Sequence, residues 1–198
     1  MAPMASENPM RGTAPAVKLT YDDFLRFPDD GKRHELIDGV HYVTASPNLK
    51  HQVILGNLHL AIGAWLETHA HGRLFLSPFD VIFSDFDVVE PDLLFIGAAR
   101  LADILTPLNV RGAPDLVVEI GSRSTRRRDE TIKRTLYERA GVEEYWIVDP
   151  VIDAVHVHRR QGARYAPVEN LLLQREETLR TPLLPGLDLP LRRIFRDT

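Results

Sequence analysis

Two almost wholly apolar runs, each interrupted by acids, constrain this chain most: Glu90-Pro-Asp-Leu-Leu-Phe-Ile96 and Asp115-Leu-Val-Val-Glu-Ile120. Runs of this kind fill central strands that are covered on both faces. Strand alternation sends Asp115, Val117 and Glu119 to one side of the second run and Leu116, Val118 and Ile120 to the other. A carboxylate in such a strand is costly to desolvate unless a cation, a metal or several donors meet it. If the two strands pair, Asp92 and Glu119 come side by side. Two carboxylates, water and a substrate phosphate make a magnesium site, because that ion takes oxygen ligands and keeps several waters. The plainer reading puts either acid at a strand end, beside solvent or an arginine.

Around these runs the pattern is that of a single α/β domain over residues 18–198. Residues 1–17, rich in Ala, Pro, Ser and Met without an apolar period, read as a disordered leader. Thr20 opens a short helix. Residues 33–37 and 40–44 flank Asp38-Gly39, a dipeptide favoured in tight hairpins. Helical spacing of Val53, Ile54, Leu58, Ala61, Ile62, Trp65 and Leu66 predicts a helix over 49–69. Strands are predicted at 74–77, 81–83, 91–96 and 115–120, with a second helix over 122–141 that stops on Gly141. Strands at 144–149 and 154–159 follow, the latter with His156 and His158 on its outer face, and a further strand lies near Tyr165. The tail from Leu183 to Leu191 is too apolar to be free, so it either covers the sheet or builds a dimer interface.

Composition removes several classes of function. The 198 residues include no cysteine, which excludes disulfide scaffolds, zinc fingers, iron–sulfur clusters and thiol nucleophiles and fits a reducing, cytoplasmic setting. No apolar run approaches the roughly 20 residues of a membrane span. The net charge of −4 means that any nucleic-acid contact comes from a local patch.

Of 24 basic residues only Lys18, Lys32, Lys50 and Lys133 are lysines. Asp129, Lys133 and Tyr137 stand at i, i+4 and i+8, on one helical face. A solvated Asp–Lys pair is the plain reading. Lysine where arginine is the default instead fits a compact ammonium that orients water or offsets developing charge. Arg123, Arg126, Arg127 and Arg128 form a dense basic cluster suited to a phosphate backbone. Arginines at a helix start oppose the macrodipole, so an anion from protein or ligand is expected there.

Glu90–Ile96, Pro114–Ile120, the Asp129/Lys133/Tyr137 helix and Gly-Val-Glu-Glu-Tyr-Trp-Ile-Val-Asp-Pro at 141–150 together resemble the Uma-two family, restriction-endonuclease-like proteins of the PD-(D/E)XK nuclease superfamily. The hairpin His-Glu-Leu-Ile-Asp-Gly at 34–39 and His51-Gln52 match its pattern too. The resemblance implies an α/β fold, a restriction-endonuclease-like mixed β-sheet core flanked by helices. It implies that Asp92 and Glu119 are metal ligands with the Ile120 carbonyl as a third, and that Glu35 is an outer ligand or water-holder. The motif's lysine position holds Gly121, and Lys133 resembles a lysine that has migrated to the next helix. His51, Asp129 and Tyr137 support the ligands from behind. The implied activity is Mg²⁺- or Mn²⁺-dependent endonucleolytic hydrolysis of DNA, with the arginines positioning the backbone. A non-catalytic DNA-binding or regulatory module that keeps the fold, and a metal-dependent hydrolase of a smaller phosphate ester, stay open. A homodimer is expected, since duplex cleavage benefits from two sites.

Overall fold

Thr20 caps helix α1 (Tyr21–Phe24): its hydroxyl accepts from the Asp23 amide while the Asp23 carboxylate accepts from the Thr20 amide. That reciprocal pair satisfies two donors the helix itself leaves orphaned. The computed structural model of the chain describes residues 17–122 and 126–198, so the predicted leader lies outside it but for exposed Val17. Strands β1 (Arg33–Ile37) and β2 (Val40–Thr44) pair antiparallel about Asp38 and Gly39. Both turn residues have positive φ, 53° and 73°, as a two-residue primed turn requires. A Cβ on Gly39 would stand 2.6 Å from the Lys18 Cβ, so the turn has no room for one.

Asn48 caps α2 (Leu49–Thr68) by accepting from the His51 amide, which fixes His51 in the first turn. Then come β3 (Gly72–Leu76), β4 (Val81–Ser84), β5 (Asp87–Val89), β6 (Leu93–Gly97), α3 (Leu101–Ile104), β7 (Val110–Arg111) and β8 (Leu116–Ile120). The second long helix has three parts: α4 (Arg126–Arg128), a π-helical turn at Asp129–Lys133, and α5 (Arg134–Ala140). After it run β9 (Glu144–Asp149), β10 (Ala154–Gln161), β11 (Arg164–Tyr165), β12 (Glu169–Leu172), β13 (Thr178–Leu179), β14 (Leu189–Pro190) and α6 (Leu191–Ile194).

The larger sheet has the order β11-β10-β9-β8-β6-β3, with β12 also on β10; the smaller has β2-β1-β5-β4-β7. Within the larger sheet β8 and β9 are parallel, joined through the second helix, and β6 lies antiparallel to β8. One face of this sheet, with Leu93, Phe95, Leu116, Val118 and Trp146, packs on Ile54, Leu58 and Ile62 of α2. The other face, with Leu94, Ile96, Val117, Tyr145 and Ile147, packs on Leu136 and Tyr137 of α5 and on Val81 and Val89 of the smaller sheet. The alternation read from the 115–120 run therefore holds, and Glu119 points toward α5.

Two features differ from the sequence reading, and one alternative left open there is decided. The smaller sheet includes β5 and β7, three and two residues long, too short for a periodic signal. The apolar tail is folded into the chain's own core: Leu184, Leu187, Leu189 and Leu191 join the α2 cluster, and Asn57 donates to the carbonyls of Ile194 and Arg196. Of the two roles expected for it, the tail takes that of covering the sheet. His158 is not outward but buried, stacked on Tyr145 with the tilted ring of Tyr165 on it as well. Among the described residues no helix is long and apolar enough to cross a membrane.

Gly141 ends α5 in the left-handed region, φ 93°, and a Cβ there would meet nothing within 4 Å. Gly141→Ala therefore isolates the backbone penalty, about 1–2 kcal/mol. Urea denaturation should show that loss, and an unchanged midpoint would contradict the left-handed cap.

Candidate active site

The antiparallel register Leu93↔Val118, continued by one residue, sets Asp92 opposite Glu119. Both are buried, at 1% and 2% exposure. Asp92 accepts three hydrogen bonds. Its Oδ1 takes Arg33 Nη1 at 2.6 Å; its Oδ2 takes His51 Nε2 at 3.1 Å and the Ile120 amide at 2.7 Å. Ile120 thus reaches the site through its amide, while its side chain lies in the core. Gly121, where the motif's lysine would stand, donates its amide to the Val148 carbonyl as part of the sheet.

Lys133 comes to the acids from the second helix. Its Nζ lies 2.7 Å from Glu35 Oε1 on β1 and 2.7 Å from Glu119 Oε1 on β8. Tyr137 Oη also donates to Glu119 Oε1 at 2.7 Å, and the Glu90 amide to Glu35 Oε1 at 3.1 Å. Asp129, Lys133 and Tyr137 are all buried, so the face predicted from their spacing is the inward one. The widened turn at Asp129–Lys133 is a feature found often at functional sites.

The arginine cluster divides. Arg128 turns inward, donating to Thr44 Oγ1 at 2.7 Å, standing 3.4 Å from Glu35 Oε2 and lying over the Tyr42 ring. That corrects its reading as a surface phosphate clamp: the carboxylate it meets is the protein's own. Exposed Arg126 pairs with Glu130 and Asp149, at 2.8 and 3.0 Å, and Arg127 is exposed on the same turn. Arg123 lies outside the described residues.

Burial opposes the charge on every acid here, and the neighbours decide each outcome. For Asp92 burial is outweighed by the His51 hydrogen bond, the charges of His51 and Arg33 and the Ile120 amide, which hold it at about 2. Glu35 is likewise lowered, burial losing to Lys133 and Arg128. Glu119 goes the other way, to about 8: burial, joined by the charges of Asp92, Asp129 and Glu35, exceeds what Lys133 returns. Burial would lower Lys133, but Glu119 and Glu35 raise it, so it stays an ammonium.

Arg33, His51, Glu90 and Asp92 form part of the wall of a cleft of about 430 Å³. Glu90 is pushed up to about 7 by burial and by the charges of Asp80 and Glu35. Sequence reasoning did not single out Arg33 or Glu90. Strand alternation could have found Arg33, which shares its face of β1 with Glu35. Among the described residues no three His, Asp or Glu side chains converge as a ready-made cation site. What is present is a pair of hard oxygen donors, Asp92 and Glu119, set opposite each other on adjacent strands. That donor set suits Mg²⁺ or Mn²⁺.

The profile of the Uma2 family, described as "Putative restriction endonuclease", matches residues 21–192. The chain belongs to the Uma2 family. No curated protein matches it. Among solved structures it is similar to one described as "a putative nuclease belonging to DUF820", from Anabaena variabilis ATCC 29413. The TM-score is 0.76 at 22% identity, covering 89% of this chain and 97% of that one. The Uma2 chain thus has the restriction-endonuclease-like core, a mixed sheet flanked by helices, and its cleft opens beside Asp92, just before β6.

The raised Glu119 carboxyl sets a pH dependence. Its folded value lies above the ordinary 4.5, so its stabilising contribution is complete below 4.5 and is lost as pH rises through about 8. In chelator-containing buffer, Glu119→Gln should flatten the decline in denaturation midpoint between pH 5 and 8. An undiminished slope would assign that decline to other groups.

Proposed function

We propose that this Uma2 chain is a divalent-metal-dependent endonuclease that hydrolyses DNA phosphodiesters. The observation that carries the reading is the Lys133 ammonium, 2% exposed and held 2.7 Å from two carboxylates of different sheets, one of which, Glu119, stands opposite Asp92 of the cleft wall. A surface ion pair needs no such burial.

Asp92 and Glu119 would hold Mg²⁺ or Mn²⁺. A bound ion of this kind polarises a phosphoryl oxygen and makes a nucleophile available at neutral pH by acidifying water. The chain's own residues account for the remaining roles. Lys133 keeps its proton on Nζ, so it serves as donor and positive charge for an oxygen that gains negative charge, not as a base. Glu35 fixes that ammonium by accepting from it on Oε1. Tyr137, whose hydroxyl is pushed well above its usual range first by burial and then by Glu119, stays protonated and orients Glu119. His51 holds Asp92 from α2. Exposed Arg127 offers positive charge at the surface to the DNA backbone. Cutting both strands of a duplex calls for two such sites, which a homodimer supplies.

One observation favours a second reading. Arg33, Lys133 and Arg128 already meet the acids, as in a nuclease fold kept as a DNA-binding module without catalysis.

Mn²⁺ calorimetry and supercoiled-plasmid nicking separate the two. Wild type should bind Mn²⁺ saturably and nick only with metal. Asp92→Ala and Glu119→Ala should lose both, while Lys133→Ala should keep binding and lose about 10²–10³-fold in nicking rate. A wild type that binds no metal and does not cut belongs to the second reading.

A further inference from the structure

Among the described residues Arg33, Arg128 and Lys133 meet the buried acids of the site, and they are not equally committed. The Lys133 side chain is 2% exposed between two carboxylates, and that of Arg128 is 11% exposed against Thr44 and Glu35. Arg33 is the most open, at 22%, and lines the 430 Å³ cleft. Both of its hydrogen bonds run through Nη1, to Asp92 Oδ1 at 2.6 Å and to the Glu90 carbonyl at 3.4 Å. The second is at the limit of useful length. It also lines a smaller cavity of about 110 Å³, with Ile120 and Gly121 on the far wall. A guanidinium has five N–H donors in a fork that matches phosphate as well as carboxylate.

We propose that Arg33 is a resident counter-charge for Asp92, displaced when a divalent cation binds there, and that the released guanidinium then takes the substrate phosphate in the cleft. The proposal rests on the endonuclease reading and extends it. A divalent ion and a guanidinium compete for one carboxylate oxygen, since each draws on the same lone pairs and each repels the other. Displacement moves Arg33 a short way into a cavity it already lines. The positive charge of the metal-loaded cleft then rises at the moment a phosphate has to be held. Loading of the ion and capture of DNA are coupled through one side chain.

The test uses the full chain as wild type, Arg33→Gln and Arg33→Lys, titrated with Mn²⁺ by calorimetry. Binding of a fluorescein-labelled phosphorothioate duplex is followed by anisotropy with and without Mn²⁺. Arg33→Gln removes a charge-assisted contact to Asp92 and should bind Mn²⁺ about tenfold tighter, with duplex binding that Mn²⁺ no longer strengthens. Arg33→Lys keeps the competing charge and should bind Mn²⁺ like wild type. It replaces the fork with a single ammonium, so its Mn²⁺-stimulated duplex affinity should fall about tenfold. Equal Mn²⁺ affinity in wild type and Arg33→Gln overturns the competition. Equal Mn²⁺ stimulation of duplex binding in all three overturns the phosphate role, and Arg33→Lys alone decides this if Arg33→Gln does not fold. A wild type that binds no Mn²⁺ sinks the endonuclease reading itself.

Discussion

An ammonium ion taken out of water loses several kcal/mol of hydration that only close anions return. Lys133 recovers it from Glu35 on β1 and Glu119 on β8, each 2.7 Å away. Those strands belong to different sheets, so one nitrogen ties the smaller sheet, the larger sheet and the second helix together. Much else follows from that requirement. The helix must present Asp129, Lys133 and Tyr137 inward, and it widens to a π turn where it does so. Gly121 is left to the sheet because the cation arrives from the helix.

Around this nitrogen four buried acids (Glu35, Asp92, Glu119 and Asp129) face Arg33, Arg128 and Lys133. Among them Glu119 is the acid whose protonation burial and its neighbours favour. Asp92, held ionised by Arg33, His51 and the Ile120 amide, stands directly across the strand pair. Of the two acids, it is Asp92 that lines the cleft.

Much of this was legible in the sequence, for identifiable reasons. Asp92 and Glu119 stood out because acids are costly inside apolar strands, and the register brings them opposite each other. Lys133 stood out against an arginine-rich background, and its face could be read from spacing even though the helix is locally wider than spacing assumes. The anion expected near the arginines is present, supplied by Glu35, Glu130 and Asp149. Other features carried no local signal. The three residues of β5 and two of β7 are below the length at which alternation can be seen. The inward turn of Arg128 depends on Tyr42 and Thr44, eighty residues away, and the burial of His158 on aromatic partners from two other strands. Arg33 was within reach of alternation, but its partner Asp92 comes from a different sheet.

Diffraction from crystals of the full chain soaked in Mn²⁺, recorded where manganese scatters anomalously, tests the proposed metal role of the two acids most directly. The opposed pair predicts an anomalous peak within coordination distance of both Asp92 and Glu119, with Lys133 still between Glu35 and Glu119. An acid pair without a peak, in crystals whose surface carboxylates do bind manganese, would contradict it.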